Sequence, residues 1–286
     1  MDLTNVMSGI EARAAAAIKA QEGDYIVDGL LYCGKCRTAK QCIVAPFGQP
    51  RTVYCLCKCE AEKKAAEEAE QRRQDKFLYI QKLRRSGFPD EDMRKWTFAA
   101  DDGSNKQITT IAKNYVSKFP EMKKRGKGLL LFGGVGTGKT FISACIANAL
   151  IDEGRACLVT NFARLVNTLS GMFYGKQEYI DSLNRFELIV IDDLASERDT
   201  EYMGEIVQNI IDSRYRAGLP LIVTTNLTSE ELKKPAEIRK QRIYSRLFEM
   251  CMPIAVEGKD RRKQKLIAEY DETASMLGIN AAQRNV

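Results

Sequence analysis

From Gly128 onward, short unbroken apolar runs alternate with longer segments of mixed polarity. The runs fall at 128–133, 156–160, 187–192, 220–225 and 252–256, and each has strand length. Continuous apolar runs belong to strands covered on both faces. The segments between them, at about 139–151, 161–173, 177–184, 200–217 and 235–250, read as helices long enough to be crossovers. The pattern predicts an α/β fold built on a five-stranded parallel sheet.

The chain before Gly128 is different. Residues 60–86 are almost all helix formers, with Glu/Lys pairs at spacings of three and four, and predict one exposed linker helix. Gly87-Phe88-Pro89 ends it. A connector follows, with the single tryptophan in Trp96-Thr97-Phe98 and a helix at about 105–119. Residues 24–59 carry turn formers, a β-prone run at 51–54 and most of the cysteines, and residues 1–22 read as a short helix or loose arm. The expected organisation is a module over 1–59, a linker helix over 60–87 and a larger domain over 88–286.

Composition narrows the function. Hydrophobic residues at 44% and charged residues at 29% exclude a globally disordered chain. No apolar run approaches the roughly 20 residues that span a bilayer. The N-terminus lacks a basic segment followed by an apolar stretch, so a cytoplasmic protein is expected. The net charge of +6 is uneven: residues 1–128 hold a net +7 and the remainder a net −1. That balance permits a polyanionic partner without requiring one. The absence of histidine excludes a histidine general base, a Ser-His-Asp triad and histidine metal ligands.

Gly133-Gly134-Val135-Gly136-Thr137-Gly138-Lys139-Thr140 follows an apolar strand and opens a helix. Glycines let the backbone curl until several N–H groups face one anion, and the helix start adds its positive end. Lys139 is placed to reach the β- and γ-phosphates of a nucleotide, and the Thr140 hydroxyl to bind Mg²⁺. About 50 residues on, Leu188–Ile191 ends in Asp192-Asp193. Carboxylates at the C-terminal edge of such a strand suit an outer ligand for Mg²⁺ (Asp192) and a group that polarises a water (Asp193). The next strand ends in Thr224-Thr225-Asn226, whose amide can touch the γ-phosphate or orient the water.

Six cysteines lie between positions 33 and 59. Without a secretory signal they read as metal ligands. Cys33 and Cys36 form one half of a tetrahedral zinc site. Cys57 and Cys59, just before the linker helix, are the favoured second half, with Cys55 or Cys42 as substitutes. Four thiolates leave no open position, so the Zn²⁺ is structural.

With these residues in view, the chain resembles the AAA+ helicase loaders of bacteria and phages, of the DnaC/DnaI type, which are related to the transposase helper IstB. The resemblance rests on GKGLLLFGGVGTGKT, LIVIDDL, IIDSRYRAGLPLIVTTNL and RIYSRLFEM followed by GKDRR. It implies a P-loop ATPase with Lys139 and Thr140 as the Walker A pair, Asp192 and Asp193 as Walker B, and Asn226 at sensor 1. Arg246 matches the arginine finger and Arg262 the sensor 2 arginine. It also implies ATP, self-association into a ring or filament, contact with single-stranded DNA, and a replicative helicase held by the N-terminal module.

Two departures stand out. Asp193 replaces the commoner glutamate, which shortens its reach and suits slow turnover, with Glu197 a conceivable substitute. Only a short tail follows Arg262, too little for a full helical lid. Candidate DNA contacts are Arg164, Tyr174 and Lys176. The helix carrying Arg239, Arg242 and Arg246 shows no nearby acidic segment, so an ATP γ-phosphate on a neighbouring subunit is expected to face it. The competing readings are a transposase helper acting on duplex DNA and a zinc-bridged adaptor with a vestigial ATP site. The cysteine module argues against the first and the intact phosphate loop against the second.

Overall fold

A computed structural model describes residues 20–194, 201–235 and 237–277. Residues 1–19 of the expected N-terminal arm, and Glu197, lie outside them. The chain divides into two compact units, and the division falls between Phe77 and Leu78.

In the first unit β1 (Tyr25–Val27) pairs antiparallel with β2 (Leu30–Tyr32), and β3 (Gln41–Val44) with β4 (Arg51–Tyr54). Asp28 and Gly29 join the first pair with φ of 51° and 75°, the backbone of a two-residue hairpin turn. Only the run at 51–54 was legible as a strand beforehand. β1 and β2 have only three residues each, and β3 lies among the cysteines with no turn-bounded run to mark it. Helix α1 (Lys58–Gly87) then runs without interruption across the expected linker.

Ahead of the sheet, the second unit carries α2 (Lys106–Ser117) and α3 (Phe119–Lys124), where one helix was expected. Pro120 lies in the first turn of α3, a position that suits proline because no N–H is needed there. The alternating part follows as β5 (Gly128–Phe132), α4 (Lys139–Asp152), β6 (Cys157–Asn161), α5 (Phe162–Ser170), α6 (Lys176–Ser182), β7 (Leu188–Leu194), α7 (Glu201–Arg216), β8 (Leu221–Thr225), α8 (Ser229–Lys233), α9 (Ile238–Met250) and β9 (Cys251–Ala255). The five strands form one parallel sheet in the order β6-β7-β8-β5-β9.

Neighbouring residues on each strand enter opposite layers. Leu130, Ile189, Ile191 and Val223 pack with Phe162, Leu165, Ile210 and Leu247 on one face. Leu129, Leu131, Val190 and Ile222 pack with Ile142, Ile146 and Leu150 on the other. Each such side chain, fully buried, contributes roughly 1.5–3 kcal/mol. Trp96 and Phe98 pack against this second layer, the plain core role open to them.

Three elements differ from expectation. α5 stops at Ser170 rather than 173, leaving Phe173 and Tyr174 in the loop that follows. α8 is an extra turn fixed by a capping box between Thr228 and Glu231. The expected short tail is a helix, α10 (Arg261–Met276), capped by the Asp260 carboxylate accepting from the Arg262 and Lys263 amides.

Gly128 has no room for a side chain, since a Cβ would lie 1.8 Å from the Leu221 carbonyl oxygen. Gly128→Ala is expected to push β5 from β8 and to cost about 1–3 kcal/mol. A thermal unfolding curve of the variant checks this, and an unchanged midpoint contradicts it.

Candidate functional site

β5 ends at Phe132 and the chain turns through Gly133–Gly138 into α4. Gly133, Gly136 and Gly138 hold φ of 141°, 75° and 96°, which side-chain-bearing residues rarely adopt. A Cβ on Gly136 would strike the Asp260 carboxylate at 1.9 Å. Gly134 and Thr137 are tied by a 3.0 Å bond from the threonine hydroxyl to the glycine carbonyl, while Val135 is exposed. The loop is therefore a backbone cradle at the start of a 14-residue helix.

Lys139 is 7% exposed. Its Nζ donates to the Gly133 and Gly134 carbonyls at 2.9 and 2.7 Å and to Asn226 Oδ1 at 2.8 Å. Burial pulls its pKa below the usual lysine value. The Asn226 amide nitrogen donates to Asp193 Oδ1 at 3.1 Å. Asn226 thus links the phosphate-loop lysine to the second carboxylate, because β8 lies between β7 and β5.

The Thr140 hydroxyl donates to the Asp192 carboxylate at 2.9 and 3.0 Å. Burial pushes Asp192 above the ordinary carboxylate value, against bonds from Thr224 and Thr140. A hydroxyl and a carboxylate meeting beside a phosphate cradle are the oxygen ligands a Mg²⁺ ion accepts. Asp193 has φ 64°. That left-handed conformation is open to aspartate and asparagine more readily than to longer side chains.

Of the two arginines after the last strand, Arg262 lies close enough to Lys139 for its charge to lower the lysine's pKa. The sequence marks its neighbour Arg261 only as part of the pair, with no role of its own. Arg261 donates its backbone N–H to the Gly136 carbonyl at 3.1 Å, and its guanidinium backs Gly138 and bonds to Ser104. The Arg-Arg doublet was the only signal of it. Arg246 corrects an expectation. It has acidic neighbours: Asp212 at 3.5 Å and Glu249 at 3.8 Å, and its guanidinium lies 4.3 Å from the Tyr215 ring centre. Asp212 comes from α7, distant in sequence, whereas Glu249 lies three residues on along the same helix.

Phe173 and Tyr174 are 95% and 92% exposed. Lys176 donates to the Tyr202 hydroxyl at 3.0 Å and lies over that ring. Arg164 stands on the exposed side of α5.

In the first unit the Cys33, Cys36, Cys57 and Cys59 sulfurs all lie within 4.8 Å of one another, close to the about 3.8 Å edge of a tetrahedron with 2.3 Å metal–sulfur bonds. This quartet can hold a metal ion. Neither Cys42 nor Cys55 belongs to it. Cys36 is pulled down to about 5, chiefly by the Thr38 hydroxyl, whereas burial pushes Cys57 well up. A cation among them removes that opposition.

A buried ion pair unseen in the sequence braces the quartet. Lys40 bonds to Asp24 at 2.8 Å and lies 3.5 Å from Glu60, and both the lysine and Asp24 side chains are almost fully buried. Asp24 also accepts from the Gly34 amide at 3.1 Å, within the Cys33–Cys36 turn. Lys40→Met leaves Asp24 buried without its cation, a strongly unfavourable arrangement. Limited proteolysis is expected to cut the variant within residues 24–57 several-fold faster than the parent, with residues 88–194 as resistant as before. Equal cutting rates contradict the bracing role.

Among the described residues no helix is long and apolar enough to cross a membrane. In comparison with known proteins, the family model of the IstB-like ATP binding proteins matches residues 59–268. DnaI, the replicative helicase loader of Bacillus subtilis, is 24% identical over 219 residues, or 71% of this chain and 67% of DnaI. DnaC, the replicative helicase loader of Escherichia coli, is 26% identical over 127 residues, or 43% of this chain and 51% of DnaC. The chain therefore spans about half the length of the second of these relatives. A crystal structure of DnaI superposes with a TM-score of 0.51 at 22% identity, over 60% of this chain and 96% of that one, a likeness of fold. The match over residues 59–268 takes in the phosphate loop, the aspartates of β7 and the arginines that open α10, and by it the chain belongs to the family of IstB-like ATP binding proteins.

Proposed function

We propose that the protein is an ATP-driven loader that places a replicative DNA helicase on single-stranded DNA. The observation that supports this reading is the Lys139–Asn226–Asp193 chain of contacts, which joins the phosphate loop to the second carboxylate of β7, the group assigned here to act on water. Two relatives of this chain are named replicative helicase loaders.

In this reading the cradle and Lys139 hold the triphosphate. Thr140 and Asp192 hold Mg²⁺, which when bound neutralises charge on the β- and γ-phosphate oxygens. Asp193 accepts a proton from water that Asn226 helps to orient. Its side chain is one methylene shorter than glutamate, which suits slow, switch-like turnover. Arg262 answers to the γ-phosphate from within the subunit. Arg246 does so from the neighbouring subunit in an ATP-bound ring or filament. Its ion pairs with Asp212 and Glu249 are partly exposed and therefore weak, so a phosphate can displace them.

Zn²⁺ on Cys33, Cys36, Cys57 and Cys59 holds the N-terminal module together, and the module binds the helicase. Exposed apolar side chains there, among them Ile26 at 72% and Ile43 at 60%, support a protein-binding role. Phe173 and Tyr174 offer aromatic faces to unstacked bases, with Arg164 and Lys176 as basic neighbours. A transposase helper on duplex DNA is the second reading, because the matching family is the IstB-like one. Affinity capture with ATP and with ADP, against the replicative helicase and against transposases, separates the two. ATP-dependent capture of a transposase alone overturns the loader.

Lys139→Ala is expected to lose ATP binding while keeping the wild-type circular dichroism spectrum; unchanged affinity in a nucleotide titration refutes the cradle assignment. Arg246→Ala is expected to bind ATP but to lose ATP-stimulated assembly and hydrolysis. Mixing it with Lys139→Ala subunits restores part of the activity, since one partner supplies the arginine and the other the intact loop. Wild-type hydrolysis by Arg246→Ala at every protein concentration removes the finger assignment.

A further inference from the structure

The β7–β8 ladder contains an irregularity that neither the sequence nor the family match explains. Ile191 pairs with Val223 and Leu194 with Thr225, so Asp192 and Asp193 stand together opposite the single residue Thr224. This two-against-one count is a β-bulge, and it withdraws the regular ladder bonds at the point where both carboxylates leave the sheet. An unpaired backbone group in such a buried place is costly. Threonine side chains fill the gap. Thr224 Oγ1 accepts from the Asp193 amide at 2.9 Å and donates to Asp192 Oδ1 at 2.6 Å. On the other side, Thr225 Oγ1 donates to the Leu194 carbonyl at 2.8 Å.

Both threonines are buried, at 2% and 0% exposure, so water does not compete for these bonds. A hydroxyl has one proton to give, and Thr224 gives it to Asp192 while its lone pair takes the Asp193 N–H. One oxygen atom therefore fixes the carboxylate of the first aspartate and the backbone of the second. That backbone is the left-handed one, at φ 64°, which directs the Asp193 carboxylate to Asn226. A non-glycine residue remains there only when its surroundings hold it.

We propose that Thr224 is a positioning residue for nucleotide hydrolysis: its hydroxyl holds the bulge that sets Asp192 beside Thr140 and Asp193 beside Asn226. The proposal rests on the ATPase reading above but concerns a residue that touches no phosphate. Valine has threonine's shape without its hydroxyl, and serine keeps the hydroxyl without the methyl group, so the pair separates packing from hydrogen bonding.

The test compares Thr224→Val and Thr224→Ser with the parent protein in two measurements. The first is steady-state hydrolysis. In Thr224→Val kcat falls about 10- to 100-fold with KM within about twofold, as expected when a reacting group is misplaced and the binding cradle is untouched. Thr224→Ser restores most of kcat. The second is the binding of a fluorescent ATP analogue across a Mg²⁺ titration. Binding in chelator is equal for all three proteins, and Thr224→Val needs several-fold more Mg²⁺ for half of the metal-dependent gain. Wild-type kcat and wild-type Mg²⁺ dependence in Thr224→Val overturn the proposal, as does a loss in Thr224→Ser equal to that in Thr224→Val. A parent protein that binds ATP and does not hydrolyse it overturns the ATPase reading instead, and the Mg²⁺ titration then decides Thr224 by itself.

Discussion

A strand covered on both faces cannot carry a charge along its length without stripping it of water, and the rest of this molecule follows from that cost. The interiors of β5, β7 and β8 are leucine, isoleucine and valine, all buried. The polar residues that β7 and β8 bring to the site stand at the strand ends. Because the strands are parallel, those ends emerge at one edge, where the cradle and the start of α4 already lie. The order β7-β8-β5 then sets the tip of β8 between the carboxylates and the lysine. Asn226 occupies that tip.

The first unit meets the opposite problem. Among its described residues few apolar side chains are buried, chiefly Leu31, and thiolates and an ion pair stand in their place. Small units of this kind need a staple of another sort. Gly34 shows how tightly the parts close, since a side chain there would collide with the Gly23 carbonyl.

The five strands and the phosphate loop were legible because they rest on local signals: unbroken apolar runs and glycines at fixed spacing. The choice of Cys57 and Cys59 over Cys55 agrees with the quartet that the fold assembles. What escaped was long-range or lacked a pattern. Lys40 looked like any other lysine, and only folding places it against Asp24 and Glu60. Arg246 looked unopposed because Asp212 lies on a different helix and a lone Glu249, three residues on, makes no acidic segment. Thr224 read as the last part of a β-branched strand, since a hydroxyl's bonds leave no mark in hydrophobic periodicity. α10 was missed because its beginning was weighed only for its arginines, although Asp260 before them is an ordinary helix cap.

The left-handed backbone at Asp193 also governs how this position can drift. Glycine, asparagine and aspartate settle into such a conformation more easily than glutamate does. The replacements that the local geometry accepts most readily are thus the ones that delete the charge, while the one that would lengthen the carboxylate meets resistance from the main chain. On the proposed reading, such an exchange would leave the phosphate loop in place and remove the carboxylate assigned to act on water. On that reading, the step from a turning-over enzyme to a nucleotide-clasping scaffold would be a single exchange that the main chain does not oppose.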